Sequence, residues 1–308
     1  MRFFKKTNIG FMQRRKMWYA ISGVVILAGL VSLTIRGVDF GIDFLGGTEL
    51  VVAFRDEVDI AAVRSAMDHI GLGQAEIKTF GSDKDILIRT ELQGEGTSIG
   101  DRIRGGLTDQ FPNNAFAVLK EDKIGPKIGA ELRQDALYAV VASLIAILLY
   151  VAFRFKFIYG VGAVVALFHD VLITLGLISI CSGIFPQLNL EISQNIVAAF
   201  LTLVGLSVND TVVIFDRIRE NQKNFRTMRF FDLINKSINE TLSRTIITMG
   251  TIVLVLAVLF LFGGEVNRGF ALTLLVGIST GTYSSIYIAS AIVVDWTEKS
   301  QKKATLVS

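Results

Sequence analysis

The chain has 308 residues, 51% of them hydrophobic, with a mean hydropathy of +0.53 and a formal net charge of +3. That apolar content argues against one or two soluble domains, and so small a net charge gives no reason to expect a nucleic-acid partner. The apolar residues form runs long enough to cross about 30 Å of hydrocarbon, which takes roughly 20 helical residues, so membrane lipid is the expected surrounding.

Six runs qualify: Met17 to Ile35, Ala136 to Phe153, Phe157 to Phe185, Ile196 to Phe215, Ile246 to Phe262 and Phe270 to Val294. Arg14, Arg15 and Lys16 precede the first, as in a signal peptide. Nothing between Leu33 and Asp39 resembles an A-x-A cleavage site, however, and the run is long enough to span, so it is read as a retained helix.

Basic residues collect in alternate connections. Arg2, Lys5, Lys6 and Arg14 to Lys16 lie in the N-terminal tail, Arg154 and Lys156 between runs two and three, seven Lys or Arg from Arg217 to Arg244 between runs four and five, and Lys299, Lys302 and Lys303 at the C-terminus. Ser182 to Asn195 has none, and Gly263 to Gly269 has only Arg268. By the positive-inside rule both termini are cytoplasmic and the long segment after Arg36 lies outside. The expected organisation is an N-terminal tail and first helix (1–35), an outer domain (36–133), helices two to six (134–296) with a cytoplasmic loop at 216–244, and a cytoplasmic tail (297–308). Cys181 is the single cysteine, so the outer domain must hold itself together by packing.

In that domain Glu49 to Phe54 is β-branched and follows Gly46-Gly47, while Ile60, Val63, Met67 and Ile70 have helical spacing. Strands are expected at Ala75 to Phe80 and Asp85 to Glu91, joined around Gly81-Ser82-Asp83, then a helix from Ser98 to Phe111 and a strand from Ala115 to Leu119. The order βαββαβ suits a ferredoxin-like α+β sandwich. No catalytic or metal-binding pattern stands out. His69 reads as a surface residue on a helix. Gly41-Ile42-Asp43-Phe44-Leu45-Gly46-Gly47 lacks the Lys-Ser/Thr of a phosphate loop, and its glycines are read as letting the backbone turn into the first strand.

An ionisable group deep in a transmembrane helix costs about 2.5–3.5 kcal/mol on insertion scales, so each is a candidate site. His169-Asp170 falls mid-way along the third run, and Asn209-Asp210 lies six residues before Asp216, about 9 Å inside the cytoplasmic edge. Two readings stand for both pairs: hydrogen-bonded glue between helices, or groups that load and release protons as the relays of pumps do. Arg244 could snorkel to the interface or pair with a carboxylate in the bundle. Gly277 and Gly281 form a small-xxx-small pattern that admits a neighbouring helix.

These residues carry a resemblance. Gly41 to Thr48 after the first helix, His169-Asp170, Gly205-Leu206-Ser207-Val208-Asn209-Asp210-Thr211-Val212-Val213-Ile214-Phe215-Asp216-Arg217, and Ser243-Arg244-Thr245 together resemble the SecD/SecF family of bacterial protein export, within the RND (resistance-nodulation-division) superfamily. The likeness covers nearly the whole chain. It implies an RND-type six-helix bundle in the inner membrane, with residues 36–133 as a periplasmic domain that engages the translocating preprotein. It further implies an obligate SecD partner, the SecYEG channel beside it, YajC and YidC as candidate neighbours, and no enzymatic activity or cofactor. In the family, export is completed with the proton motive force. Carried over by motif, Asp210 is the proton-exchanging carboxylate and Arg244 its cationic counterpart, with Asn209, His169 and Asp170 in the same relay and part of the relay supplied by SecD.

Three rivals are weighed against it. A small-molecule RND exporter shares the bundle but is far longer. An intramembrane aspartyl protease could use Asp170 and Asp210, yet Asp210 follows Val208-Asn209 and Asp170 follows His169, neither being the local sequence such a protease needs. A passive scaffold of the export channel needs no titrating group at all.

Overall fold

The computed structural model describes residues 7–91, 98–185 and 188–307; Arg2, Lys5, Lys6 and the side chains of Lys302 and Lys303 lie outside the described residues. The chain divides into two compact units, one of Met1–Gly37, Val140–Ile180 and Ala198–Ser308, the other of Val38–Ala139 with Cys181–Val197. The first span, α1 (Arg15–Arg36), ends at Gly37, whose φ of 79° suits a glycine and whose N–H returns to the Leu33 carbonyl.

The second unit opens with a single turn, α2 (Ile42–Leu45), where the sequence led us to expect only a tight turn. Gly46 and Gly47 follow with φ of 77° and 123°. A side chain at Gly47 would place its Cβ 2.4 Å from the Thr90 carbonyl oxygen, so both backbone angle and space require glycine there. The chain then continues through β1 (Gly47–Phe54), α3 (Ile60–His69), β2 (Glu76–Phe80), β3 (Ser82–Thr90), α4 (Ser98–Gln110) and β4 (Phe116–Ile124). Asp59 caps α3 by accepting from the Ala61 N–H at 2.9 Å. Gly81, at φ 84°, closes a hairpin tighter than expected, with Phe80 paired to Ser82.

Among the described residues these four strands form one antiparallel sheet in the order β2-β3-β1-β4, the ferredoxin-like arrangement expected of βαββαβ. Leu50, Val52 and Phe54 of β1 and Ile86 and Ile88 of β3 share one face, packed on Val63, Ala66 and Met67 of α3 and Ile99, Ile103 and Leu107 of α4. Gly105 and Gly106, which blurred the helical pattern of α4, lie inside it; Gly106 lets the helix sit against Ile70.

On the opposite face, beside the buried Val51 and Leu87, lies a cluster of charges. Glu49, Arg89 and Glu76 are in register across β1, β3 and β2, and Arg89 donates to Glu49 at 2.7 Å and to Glu76 at 3.1 Å. Glu191, from the connection after residue 185, accepts from both Arg89 and Lys78. The same connection pairs with the start of the unit, Gly41 N–H donating to the Ile192 carbonyl at 3.0 Å and Ile192 N–H to that of Asp39 at 2.8 Å. That residues 181–197 join this unit was not expected from sequence.

The other spans are α5 (Pro126–Arg154), α6 (Phe157–Ile184), α7 (Gln194–Asn224), α8 (Phe230–Phe262) and a sixth made of α9 (Glu265–Ser284), a π-helical turn (Ser285–Ala289) and α10 (Ser290–Val307). Among the described residues, six helical spans including α1 are long and apolar enough to cross a membrane, which makes this a multi-pass membrane protein. Apolar side chains of α5 and α8 such as Phe153, Leu254 and Val255 are exposed, as lipid-facing residues are, whereas α6, α7 and the sixth span are the most buried. The expected loop at 216–244 is helical apart from the connection between Asn224 and Phe230. Ile218, Leu233, Ile234 and Ile238 are fully buried there, so helix packing continues past the apolar runs.

A polar network inside the bundle

Asp170 on α6 is wholly buried. It accepts from Ser207 of α7 at 2.5 Å and Ser284 of α9 at 2.8 Å, and His169 Nδ1 lies 2.9 Å from its other oxygen. His169 Nε2 in turn is bonded to Ser22 of α1 at 2.9 Å and to the Tyr283 hydroxyl at 3.0 Å. Asp210 on α7 is 3% exposed and accepts from Thr245 of α8 at 2.8 Å and Ser285 at 2.6 Å. Polar groups in a bundle interior stay only if partnered, and here five of the six spans contribute partners.

The sixth span lies between the two carboxylates in this network. Ser284 serves Asp170, and the next residue, Ser285, serves Asp210. Ser285 opens the π-helical turn: the Ser290 N–H returns to its carbonyl, five residues back, where a regular helix would return to residue 286, and the Ser290 hydroxyl donates to the same carbonyl at 2.8 Å. Gly281 and Gly277 face α7: a Cβ on Gly281 would meet the Ser207 side chain at 3.1 Å, and one on Gly277 the Leu203 side chain at 2.6 Å. The glycine pair thus brings α9 close enough to α7 for its serines to reach both acids.

Of the residues singled out by sequence, His169, Asp170 and Asp210 enter this network and two do not. Asn209 is exposed on the outside of α7. Arg244 is also exposed and, among the described residues, forms no ion pair within 4 Å; its neighbour Thr245 bonds Asp210. Asp43 lies elsewhere in the chain, where its carboxylate accepts from the N–H of Gln194, the first residue of α7, at 2.8 Å. Gly41 lies beside it with an ordinary φ of −73°. Sequence reasoning missed Ser22, Ser207, Tyr283, Ser284 and Ser285, because isolated hydroxyls in apolar helices are too common to stand out.

The fold and this network define a class: a multi-pass membrane protein with acids buried in its bundle and a ferredoxin-like sheet domain inserted after the first span. Residues 107–299 match the model of protein export membrane protein SecD/SecF, C-terminal, and residues 31–58 that of the SecD/SecF GG motif. Protein translocase subunit SecF of Rhodothermus marinus is 48% identical over 295 residues, covering 96% of this chain and 95% of its own. That of Escherichia coli is 39% identical, covering 92% and 86%. The crystal structure of SecDF from Thermus thermophilus, a translocon-associated membrane protein, superposes with a TM-score of 0.83 at 37% identity, over 95% of this chain and 39% of that one. The chain belongs to the SecD/SecF family of protein export membrane proteins. It spans nearly the whole length of the SecF relatives and about two fifths of the SecDF chain.

Proposed function

We propose that this chain is the SecF half of a SecD-dependent complex that uses the proton motive force to complete Sec-dependent protein export across the inner membrane, with Asp210 as the carboxylate that exchanges protons. Both termini are then cytoplasmic and residues 36–133 periplasmic, where the sheet domain engages the emerging preprotein; SecYEG is the channel served, with YajC and YidC as candidate neighbours. The non-enzymatic role, the partner and the localisation are supported by the family and by the distribution of basic residues.

One observation carries the proton reading: Asp210 is buried among hydroxyls rather than fixed to a cation. A hydroxyl both donates and accepts, so Thr245 and Ser285 can satisfy the carboxylate when it is ionised and the carboxylic acid when it is protonated. A contact pair with arginine would favour the ionised form alone. Each change of protonation reverses donor and acceptor at one of the two hydroxyls, on α8 or on the π-helical turn, and a turn that already departs from the regular i→i+4 ladder is where a helix yields at least cost. Asp170 and His169 adjoin this step through Ser284, and Arg244 and Asn209, exposed on this chain, are placed to meet relay groups of the SecD partner.

The test is export of a secretory reporter in cells depleted of the native protein and complemented with Asp210→Asn, with co-purification of SecD as the check on assembly. Retained assembly with export as low as in the depleted strain supports the reading. Normal export makes the chain a passive scaffold.

A further inference from the structure

The bundle unit holds a cavity of about 770 Å³ where the turn between α5 and α6, the connection between α7 and α8, and α10 meet. Lys156 lines it from the first of these, Phe225, Arg226, Met228 and Arg229 from the second, and Glu298 from the third. Its charge is unbalanced. Glu298 already lies 3.3 Å from Arg15, and Arg229 bonds Asp232 at 2.7 Å. Lys156 and Arg226 are exposed and, among the described residues, form no ion pair within 4 Å. Like charges lining one cavity repel, and an anion between them relieves that repulsion.

The lining is also apolar, and its depth is marked. Phe225 and Met228 are exposed there, and the Phe225 ring is held by Lys236, whose Nζ sits 4.6 Å from the ring centre. Lys156 directly precedes Phe157, the first residue of α6 and of its apolar run. Trp296, two residues before Glu298, packs edge-on against the Phe157 ring at 6.4 Å, and both rings are exposed. An exposed Trp at the end of a span sits at the headgroup level of a bilayer, so this side of the cavity opens where lipid phosphates lie. Phe153, exposed in the last turn of α5, carries the apolar surface on into the spans. A soluble anion would use the cations and leave the Phe and Met side chains wet, and an uncharged lipid would leave the cations unused. A lipid with an anionic headgroup satisfies both.

We propose that this cavity is a binding site for an anionic phospholipid, its phosphate held between Lys156 and Arg226 and its acyl chains lying along Phe157 and Phe153. The site belongs to the leaflet on the side of Arg15 and Glu298 and makes no use of Asp210, so it goes beyond the proton-exchange reading and stands apart from it.

The test uses the complex with SecD in vesicles of nine parts phosphatidylcholine to one part phosphatidylglycerol. Bromine, which quenches indole fluorescence on contact, is carried on the acyl chains of either the phosphatidylglycerol or an equal amount of the phosphatidylcholine. The bulk composition is then the same in both, and subtracting the signal of the Trp296→Phe complex isolates Trp296. Quenching of Trp296 should be at least twofold greater when the bromine is on phosphatidylglycerol, and the ratio should fall to one in the Lys156→Gln, Arg226→Gln double variant. Lys223→Gln with Lys299→Gln removes the same charge from exposed positions outside the cavity and should leave the ratio at its native value. Each single variant, Lys156→Gln or Arg226→Gln, should lower the ratio part of the way, and these stand in if the double variant fails to co-purify with SecD. A native ratio of one, or an equal loss in the control pair, overturns the site. Loss of the native enrichment on adding millimolar inorganic phosphate would make a soluble anion the occupant and overturn the lipid.

Discussion

Ser284 and Ser285, consecutive residues of the sixth span, donate to two different carboxylates, Ser284 to Asp170 at 2.8 Å and Ser285 to Asp210 at 2.6 Å. Consecutive helical residues point about 100° apart, so this can happen only where the sixth span packs against both α6 and α7. The two acids are therefore joined through one peptide unit of a helix that turns π-helical at that point.

Removing one hydroxyl should weaken the site without emptying it. Ser285→Ala leaves Asp210 with Thr245 as its donor and loses a charge-assisted hydrogen bond worth about 1.5–3 kcal/mol. Reporter export should fall several-fold while SecD still co-purifies, and Ser285→Thr, which keeps the hydroxyl, should restore most of it. Export by Ser285→Ala at the native rate would show that this bond is idle.

Close approach of α1 to α6 makes a second prediction. An ideal Cβ on Gly29 would lie 2.6 Å from the Gly176 Cα, whereas one on Gly23 meets nothing within 4 Å. Gly29→Ala must separate two backbones near the Ser22–His169 bond, at a cost of about 1–3 kcal/mol. Thermal unfolding of the purified complex in detergent should occur at lower temperature for Gly29→Ala and be unchanged for Gly23→Ala.

The charged face of the sheet predicts a pH dependence. Burial opposes ionisation of Glu49, but hydrogen bonds from Arg89 and the charge of Lys120 outweigh it and hold the carboxyl below the ordinary glutamate range. A carboxyl whose pKa is lower folded than unfolded contributes stability above its unfolded value, and that contribution is lost as pH falls through the folded one. Stability of the sheet domain, followed by hydrogen exchange in the intact chain, should therefore hold from pH 7 down to the glutamate range and fall below it. Glu49→Gln should flatten that fall. Arg89→Ala, which leaves Glu49 with Lys120 and Glu191 with Lys78 as their remaining cations, should lower the stability of the sheet domain at neutral pH.

Much of the architecture was legible because its signals are local. Run length set the spans, and β-branched segments between glycines set the strands. The C-terminal part of α7 and the N-terminal part of α8 were not legible, since contacts such as Arg217 with Glu240, 23 residues apart, join them. At the site the acids announced themselves by their cost in lipid, and Gly277 and Gly281 marked the close approach. What sequence could not supply was the partner of each acid. The resemblance made Arg244 the cationic counterpart of Asp210, yet α8 turns Thr245 to the carboxylate and leaves Arg244 exposed. The role of Glu191 was equally hidden, because its partners Arg89 and Lys78 lie about a hundred residues away.

Proton movement itself tests the central claim most directly. The complex with SecD is reconstituted into liposomes holding a pH-sensitive dye, a proton gradient is imposed, and interior acidification is compared for the native chain and Asp210→Asn. The account predicts acidification by the native complex and none above empty liposomes for Asp210→Asn. Equal acidification by the two would contradict it, because the proton would then cross without the one carboxylate on which the account depends.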